Sequence, residues 1–274
     1  MNEHRRLALR ALSTLLVLAL AGCASQRGEP QPRGLSRILQ TGEMRIGMSG
    51  EQPPLTMTAR SGELLGLDVA LSRVLAKAMG VEARFVQLPF GQLLDALENG
   101  EVEIVMSGLT ITPARTQRVT LVGPYFTSGK TVLTRDSELA ATQRAEDLDL
   151  ATLRFAALVG STSEEFVRSS LPNATLVPTK HLDEAIQRVM DGEVDALIAD
   201  RETCSFAVLR HPEAGLIASE TALTIEPMGI AVHNDDEKLA RLIETYLTTI
   251  ERTGTLEKAR RFWFKDPSWV KELR

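Results

Sequence analysis

Short apolar runs alternate along the first part of the chain with stretches whose apolar residues recur at helical spacing. In Leu67–Gly80, LDVALSRVLAKAMG, these residues lie three and four positions apart and the stretch ends at a glycine, which is typical of a helix. MRIGMS, ARFVQL and VEIVMSG are short and apolar or alternating, which is typical of strands. With FGQLLDALENG as a second helix, the order β-α-β-α-β predicts a mainly parallel sheet flanked by helices.

The same order of elements recurs after residue 153. RFAALVG, ATLVP and VDALIAD are predicted strands, and STSEEFVRSSL, HLDEAIQRVMDG and RETCSFAVLRH are predicted helices. A last strand, PMGIAVH, precedes two further helices that do not repeat the pattern. We therefore expect an α/β protein of two lobes that face each other across a cleft. In such sheets, ligands bind beyond the carboxyl ends of the strands, so the residues that follow each strand are the candidates for function.

The N-terminus has the pattern of a targeting segment. Three arginines precede the apolar run Ala11–Ala21, which is too short to span a bilayer as a helix. The run ends in LALAGC, which resembles the lipobox of bacterial lipoproteins and implies removal of residues 1–22 and lipid on Cys23. A plain secretory signal is the alternative. Residues 23–35, rich in proline, glycine and polar residues, are predicted to form a flexible tether, so that the protein is anchored to a membrane outside the cytoplasm.

Composition narrows the function further. The chain has 274 residues, 43% of them hydrophobic and 24% charged, with a net charge of −5, which is an ordinary globular balance. Because the chain has no lysine- and arginine-rich tract, we expect no nucleic-acid partner. We also predict a monomer with no cofactor, no metal and no catalytic residues. Cys204 is the only cysteine besides Cys23, and we interpret it as a core residue, with no partner for a disulfide once Cys23 is lipidated.

The residues that follow the predicted strands share one chemistry. They offer a guanidinium, hydroxyls, helix N-terminal amides, a carboxylate and an aromatic ring; they are Phe90, Gly108, Thr110, Arg115, Ser161, Thr162 and Asp200. A guanidinium binds a carboxylate through two bonds, helix N-terminal amides bind anions, and an aspartate binds an ammonium group. Together they match the zwitterionic end of an amino acid.

Several segments resemble family 3 solute-binding proteins, the amino-acid-binding components of ABC importers. They are GLDVALSRVLAKAMG, GLTITPARTQRV with GPYF, ALVGSTSEEF and GEVDALIAD, and the resemblance covers about residues 36–265. It implies the two-lobe type II periplasmic-binding-protein fold, capture of an amino acid by lobe closure, and delivery to an ABC permease. It assigns the ligand carboxylate to Arg115 and the ligand ammonium to Asp200. Hydroxyl and backbone contacts fall on Gly108, Thr110, Ser161 and Thr162, and an aromatic shelf falls on Phe90.

The resemblance also implies the division of the chain. Lobe 1 takes residues 36–131 and 224–274, lobe 2 takes 134–222, and the hinge strands take 130–135 and 222–226. One position departs from the family: Leu55 in EQPPLTM stands where many members carry an aromatic residue. That departure disfavours an aromatic or cationic ligand that depends on stacking between two rings.

Plainer interpretations of the same residues stay open. Arg115 could be a surface residue, Asp200 could only cap the following helix, and Phe90 could only pack in the core. Glu202 and Glu226, near the predicted cleft or hinge, are interpreted as solvated or structural acids.

An enzyme on the same scaffold is the alternative function. GPYFTSGKT, GSTSEEF and LRHPEAGL also resemble periplasmic cyclohexadienyl dehydratases, whose pattern places a glutamate three residues after the aspartate. Here that position is Thr203, and Glu202, one residue earlier, is rotated by ~100° on a helix and is expected to point elsewhere.

Overall fold

The computed structural model describes residues 33–272. The predicted signal peptide and Cys23 lie outside the described residues. The helices are α1 (Gly34–Thr41), α2 (Leu67–Met79), α3 (Leu93–Glu98), α4 (Pro113–Thr116), α5 (Ser137–Ala140), α6 (Thr162–Ser170), α7 (Leu182–Met190), α8 (Arg201–Arg210), α9 (Glu237–Arg252) and α10 (Thr255–Lys265). Short 3₁₀ turns cover Phe90–Gln92, Ala145–Leu148 and Pro267–Glu272. The strands are β1 (Glu43–Met48), β2 (Glu51–Gln52), β3 (Thr56–Thr58), β4 (Leu64–Leu65), β5 (Glu82–Gln87), β6 (Ile104–Thr110), β7 (Thr120–Ser128), β8 (Lys130–Thr134), β9 (Arg154–Leu158), β10 (Thr175–Thr179), β11 (Ala196–Asp200), β12 (Ile217–Ala218) and β13 (Glu226–Val232).

Two five-stranded sheets form the two lobes. The sheet of lobe 1 has the order β5-β1-β6-β13-β7, and the sheet of lobe 2 has the order β10-β9-β11-β8-β12. In lobe 1, β5, β1 and β6 are parallel, whereas β13 runs antiparallel to both β6 and β7. In lobe 2, β10, β9 and β11 are parallel, whereas β8 runs antiparallel to β11 and β12. The parallel strands are those of the two predicted β-α-β-α-β sets, because a helical crossover returns the chain to the same edge.

The sheets are mixed because the chain passes between the lobes twice. β7 ends at Ser128 in the first sheet and β8 begins at Lys130 in the second, so the first passage lies at Gly129. Residues 130–134, which the resemblance assigned to the hinge, therefore form a strand of lobe 2. Leu223 still donates its amide to the Lys130 carbonyl, and β13 begins at Glu226 in lobe 1, so the return passage lies between them. The predicted limits of the lobes and hinge stay a prediction.

Each sheet buries apolar residues on both faces. In lobe 1, alternate residues of β1 and β6, such as Ile46 and Ile104, pack on α2, α9 and α10, and Val105 packs on the opposite face with α3. In lobe 2, Leu197 of β11 faces α7 and α8, while Ile198 faces α6. Such double-sided burial explains why these strands are almost continuously apolar in sequence.

None of the helices within residues 33–272 combines the length and the apolar character needed to cross a membrane.

Candidate functional site: a charged cleft between the lobes

A small cavity lies between the two lobes at the carboxyl ends of their parallel strands. Its volume is about 20 Å³, which is room for about one water molecule. The residues predicted to bind ligand that line it are Phe90, Gly108, Thr110, Ser161, Thr162 and Asp200. The lobes are thus in close contact, and an amino acid needs them to separate before it enters.

Arg115 lies beside this cavity and joins the two lobes. It sits on the short helix α4, whose first turn is capped by Thr112, and its side chain turns inward, so that the residue is 9% exposed. One terminal nitrogen donates to the Thr110 carbonyl at 2.9 Å, and the other donates to the Gly160 carbonyl of lobe 2 at 3.1 Å. The interpretation of Arg115 as a surface residue is therefore wrong.

The buried charge of Arg115 lies near acidic side chains. Burial lowers the pKa of Arg115, whereas the carboxylates of Glu226, Asp200 and Glu165 act in the opposite direction. Its guanidinium carbon lies 5.7 Å from the centre of the Phe90 ring, which is within the range of a cation–π contact. Phe90 also packs in the core of lobe 1, so it is a core residue and lines the cavity at the same time.

Asp200 lies opposite, at the end of β11, and its partner is a buried lysine. Lys130 Nζ is 2.7 Å from Asp200 Oδ1 and 3.7 Å from Glu226 Oε2, and all three side chains are at most 8% exposed. Asp200 precedes α8 but makes no side-chain capping bond to it. The interpretation of Asp200 as a helix cap alone is therefore wrong.

Glu226 is held at the same place by hydroxyl groups. Thr162 donates to Glu226 Oε2 at 3.0 Å and Thr224 donates to Oε1 at 2.7 Å. Burial raises the pKa of Glu226, but Lys130 and the surrounding threonine hydroxyls outweigh burial, so the pKa lies below its usual value. Glu226 is thus a buried, charged residue at the boundary of the lobes, which agrees with its interpretation as a structural acid and not as a solvated one.

Ser161 and Thr162 form the N-terminus of α6. Ser161 Oγ accepts from the Glu164 amide at 3.2 Å and donates to the Leu158 carbonyl at 2.6 Å. The Glu164 carboxylate accepts from the Gly160 amide at 2.7 Å, which completes a reciprocal cap. The Thr162 hydroxyl lies 3.4 Å from that of Thr110, so the two lobes also meet through hydroxyl groups.

Gly108 is fixed from behind by a buried acid. Its amide donates to Asp68 Oδ2 at 2.7 Å, and burial raises the pKa of Asp68 to about 7. A Cβ at Gly108 would lie 2.8 Å from the side chain of Leu55, and the φ of 60° also favours glycine. Leu55 is buried in the core of lobe 1, behind Gly108.

The structure adds residues that sequence reasoning missed. Lys130 and Gln52 line the cavity. A lysine at the start of the predicted hinge strand, in GKTVLT, is the signal that could have identified Lys130, because a lysine is rarely buried without a charged partner.

Two positions bear on the enzyme alternative. Thr203 lines the cavity and donates to the Pro53 carbonyl of lobe 1 at 3.1 Å. Glu202 instead accepts from Ser128 and lines a different cavity, beside α10, as its rotation on α8 predicts.

A second cavity between the lobes, of about 350 Å³, shares Leu182 with the first. Glu51 of lobe 1 crosses it. One carboxylate oxygen lies 2.7 Å from His181 Nδ1, and the other accepts from the Leu182 amide at 3.3 Å. Glu51 raises the pKa of His181, so a charged imidazole strengthens this contact between the lobes.

Cys204 is fully buried, as expected for a core cysteine, and burial raises the pKa of its thiol to about 12. Within residues 33–272, no cluster of three or more histidine, cysteine or acidic side chains is arranged to hold a metal ion.

Comparisons with known proteins agree with this architecture. The chain is 25% identical over 265 residues to the cyclohexadienyl dehydratase of Pseudomonas aeruginosa, covering 97% of each chain. It is 25% identical over 274 residues to the ABC transporter glutamine-binding protein GlnH of Bacillus subtilis, covering 97% of this chain and 98% of that one. The crystal structure of the ancestral amino acid-binding protein AncCDT-1, a precursor of cyclohexadienyl dehydratase, matches with a TM-score of 0.76 and 30% identity over 84% of this chain and 98% of that one.

The two-lobe type II fold predicted from the sequence is confirmed by these structural neighbours. The model of the bacterial extracellular solute-binding proteins, family 3, matches residues 44–266, which span both lobes and the cleft. With strand order, cleft and motifs in agreement, the chain belongs to the bacterial extracellular solute-binding proteins, family 3.

Proposed function

We propose that this protein captures an amino acid between its lobes and presents the closed form to the permease of an ABC importer. Arg115 binds the ligand carboxylate, and Asp200 binds the ligand ammonium. Ser161, Thr162, Thr110 and Gly108 contribute hydroxyl and backbone contacts, and Phe90 lies beneath the ligand.

The observation that carries this proposal is the buried guanidinium of Arg115, which reaches both lobes and shares the cleft with two acids. In its bonds to the Thr110 and Gly160 carbonyls only the donor is charged. Exchange of such a contact for a ligand carboxylate gives a stronger, charge-assisted pair. A ligand that carries one acidic and one basic group satisfies both sides of the cleft, so its binding favours closure over the open form.

Delivery to an ABC permease is supported by the kinship with an ABC transporter glutamine-binding protein. We further propose that lipid on Cys23 holds the protein, as a monomer, at the outer side of a membrane. The tether, predicted as residues 23–35, then ends before Gly34, where α1 begins. The support for this anchor is the LALAGC motif.

A ligand screen tests the proposal. The purified protein is screened against the twenty common amino acids by thermal shift, and each ligand that raises the melting temperature is titrated by calorimetry. One-to-one binding, with the ligand recovered unchanged by mass spectrometry, supports the proposal. Absence of binding to every amino acid would overturn it.

A dehydratase activity is the second candidate, favoured by the likeness to cyclohexadienyl dehydratase over nearly the whole chain. Such an enzyme needs a general acid in the cleft. Thr203 occupies the position that the dehydratase pattern assigns to a glutamate, and the nearby Glu202 faces Ser128 instead.

The same purified protein decides between the two functions. It is incubated with prephenate and with arogenate, and release of carbon dioxide is measured beside a reaction without protein. Catalysed release identifies an enzyme, whereas unchanged substrate together with amino-acid binding leaves the binding function.

A further inference from the structure

The lysine at the centre of the cleft carries an inference about the ligand's charge. Lys130 is the first residue of β8, and its side chain is 2% exposed. Its amide donates to Thr224 Oγ1 at 3.0 Å, and its carbonyl accepts from the Leu223 amide at 2.7 Å. Both backbone bonds join it to the segment that returns to lobe 1, so its ammonium group is held in a fixed position between Asp200 and Glu226.

Lys130 places a positive charge beside both acids. Its ammonium is within bonding distance of one Asp200 oxygen, and both Glu226 oxygens already accept from threonine hydroxyls. The two oxygens of a carboxylate together offer about four acceptor sites. Lys130 engages Asp200 Oδ1, so Asp200 Oδ2 is the oxygen that Lys130 leaves for a ligand ammonium. The cleft thus offers one strong position for a cation, which the α-ammonium of an amino acid fills.

The charges of the four side chains at the centre of the cleft also balance. Two cations, Arg115 and Lys130, face two anions, Asp200 and Glu226. A zwitterion with an uncharged side chain keeps this sum at zero when the lobes close. A basic amino acid leaves one excess positive charge out of water, and an acidic one leaves an excess negative charge, each of which costs free energy.

Acids farther along the cleft are paired as well. At the second cavity, Glu51 is bonded to His181 and the Leu182 amide, and Asp183 accepts from Arg210 at 2.7 Å. A long cationic side chain that extended from the first cavity into the second would meet carboxylates that already have partners.

We propose that Lys130 determines specificity: it neutralises the Asp200–Glu226 pair, so that the cleft selects amino acids with uncharged side chains and rejects basic ones. This inference rests on the proposed amino-acid-binding function.

Calorimetric titration tests the inference with glutamine, arginine and glutamate as probes, together with the tightest uncharged ligand from the screen. The unaltered protein is expected to bind its uncharged ligand at least about 100-fold more tightly than arginine, because arginine brings an additional buried charge without a partner. Lys130→Met keeps the length of the side chain but removes its charge. The variant is expected to bind arginine at least about tenfold more tightly than the unaltered protein does.

A control variant and a second substitution at Lys130 show whether a change in affinity is specific to the charge of Lys130. Lys238→Met, at an exposed position on α9, is expected to leave every affinity unchanged. Lys130→Gln, which keeps hydrogen-bond donors in the cleft, replaces Lys130→Met if the methionine variant does not fold. The ranking of ligands by the unaltered protein depends on neither variant.

The titrations distinguish failure of the specificity inference from failure of the proposed amino-acid-binding function. A protein that prefers arginine or lysine, or a Lys130 variant whose arginine affinity does not rise, overturns the inference and leaves amino-acid binding intact. A protein that binds no amino acid at all overturns both.

Discussion

At the scale of single residues, the proposed function depends on charges that the fold has taken out of water. Arg115 and Lys130 are buried cations whose partners come from both lobes. Asp68 is a buried acid that fixes the Gly108 amide from behind the cleft. Such groups make affinity and stability sensitive to single substitutions, because a buried charge without its partner is costly.

Arg115→Ala is expected to weaken amino-acid binding by about 100-fold or more, because the ligand carboxylate loses a charge-assisted, two-bond partner. Arg115→Lys, which keeps the charge but not the planar fork, is expected to recover only part of the affinity. Calorimetric titration measures both. Arg241→Ala, on the exposed side of α9, is the control and is expected to bind normally. Unchanged affinity in Arg115→Ala would show that the site is assigned wrongly.

Asp68 predicts a pH dependence of stability. Its folded-state pKa of about 7 lies above the ordinary value of 3.8, so between these values the unfolded chain releases a proton that the folded chain keeps. The contribution of Asp68 to stability therefore falls as pH rises through this window. Asp68→Asn keeps an acceptor for the Gly108 amide. When the pH rises from about 4 to about 8, the free energy of unfolding of the variant, measured relative to that of the unaltered protein, is expected to increase by about 2–4 kcal/mol.

Urea unfolding at both pH values measures that difference. Asp235→Asn is the control because the side chain of Asp235 is 92% exposed. Its free energy of unfolding is expected to change with pH by the same amount as that of the unaltered protein. If Asp68→Asn also changed by the same amount as the unaltered protein, the buried carboxyl would not carry the predicted proton.

At the scale of elements, helix termini present the polar groups of the cleft. α6 begins at Thr162 after the cap Ser161, and Asp200 joins β11 directly to α8. The sequence predicted these elements well because each has a local cause: an apolar period, a hydroxyl cap or a terminal glycine. The direction of β7, β8 and β13 has no such local cause, which is why the antiparallel part of each sheet did not follow from the pattern.

Ser161→Ala removes the cap of α6 and is expected to lower the free energy of unfolding by about 1 kcal/mol. Ser170→Ala, at the exposed end of the same helix, is the control and is expected to change stability by less than about 0.5 kcal/mol. Denaturant unfolding without added amino acid measures the capping effect by itself, and a ligand titration then reports any separate loss of affinity. Equal stability of the two variants would contradict the capping role.

At the scale of the whole molecule, the two lobes touch through backbone as well as side chains. A Cβ at Gly160 of lobe 2 would lie 2.7 Å from the Cα of Gly91 in lobe 1. Thr203 and Glu51 add further bonds across the cleft. Closure is therefore supported by contacts that exist apart from any ligand, and a ligand needs to add only the difference between the open and closed forms.

The contact of Glu51 with His181 predicts a pH dependence of binding. Glu51 and Glu184 raise the pKa of His181, and Lys180 opposes them. Because the imidazole is largely exposed, the effect is modest. The charged imidazole of His181 stabilises the closed form fully below pH 6.5, its ordinary pKa. This stabilisation is lost as the pH rises through the pKa that His181 has in the closed form. Affinity is expected to be a few-fold higher at about pH 5.5 than at about pH 8.

Titration at both pH values compares the unaltered protein with His181→Gln, in which the pH dependence is expected to be smaller. His233→Gln, at the end of β13 in lobe 1, is the control and is expected to retain the full dependence. Equal dependence in all three proteins would show that the contact with Glu51 does not couple to closure.

The sequence by itself determined the order of helices and strands, the two α/β lobes and six of the residues that line the cavity, since these follow from local periodicity, from caps and from motifs of a known family. Only the tertiary structure decided that Asp200 faces Lys130, that Glu226 is buried beside them and that Arg115 reaches both lobes. Those contacts join residues many positions apart, and the balance of charge they create exists only where two sheets meet. A local sequence pattern does not specify which residue from a distant part of the chain will pack beside a given buried charge.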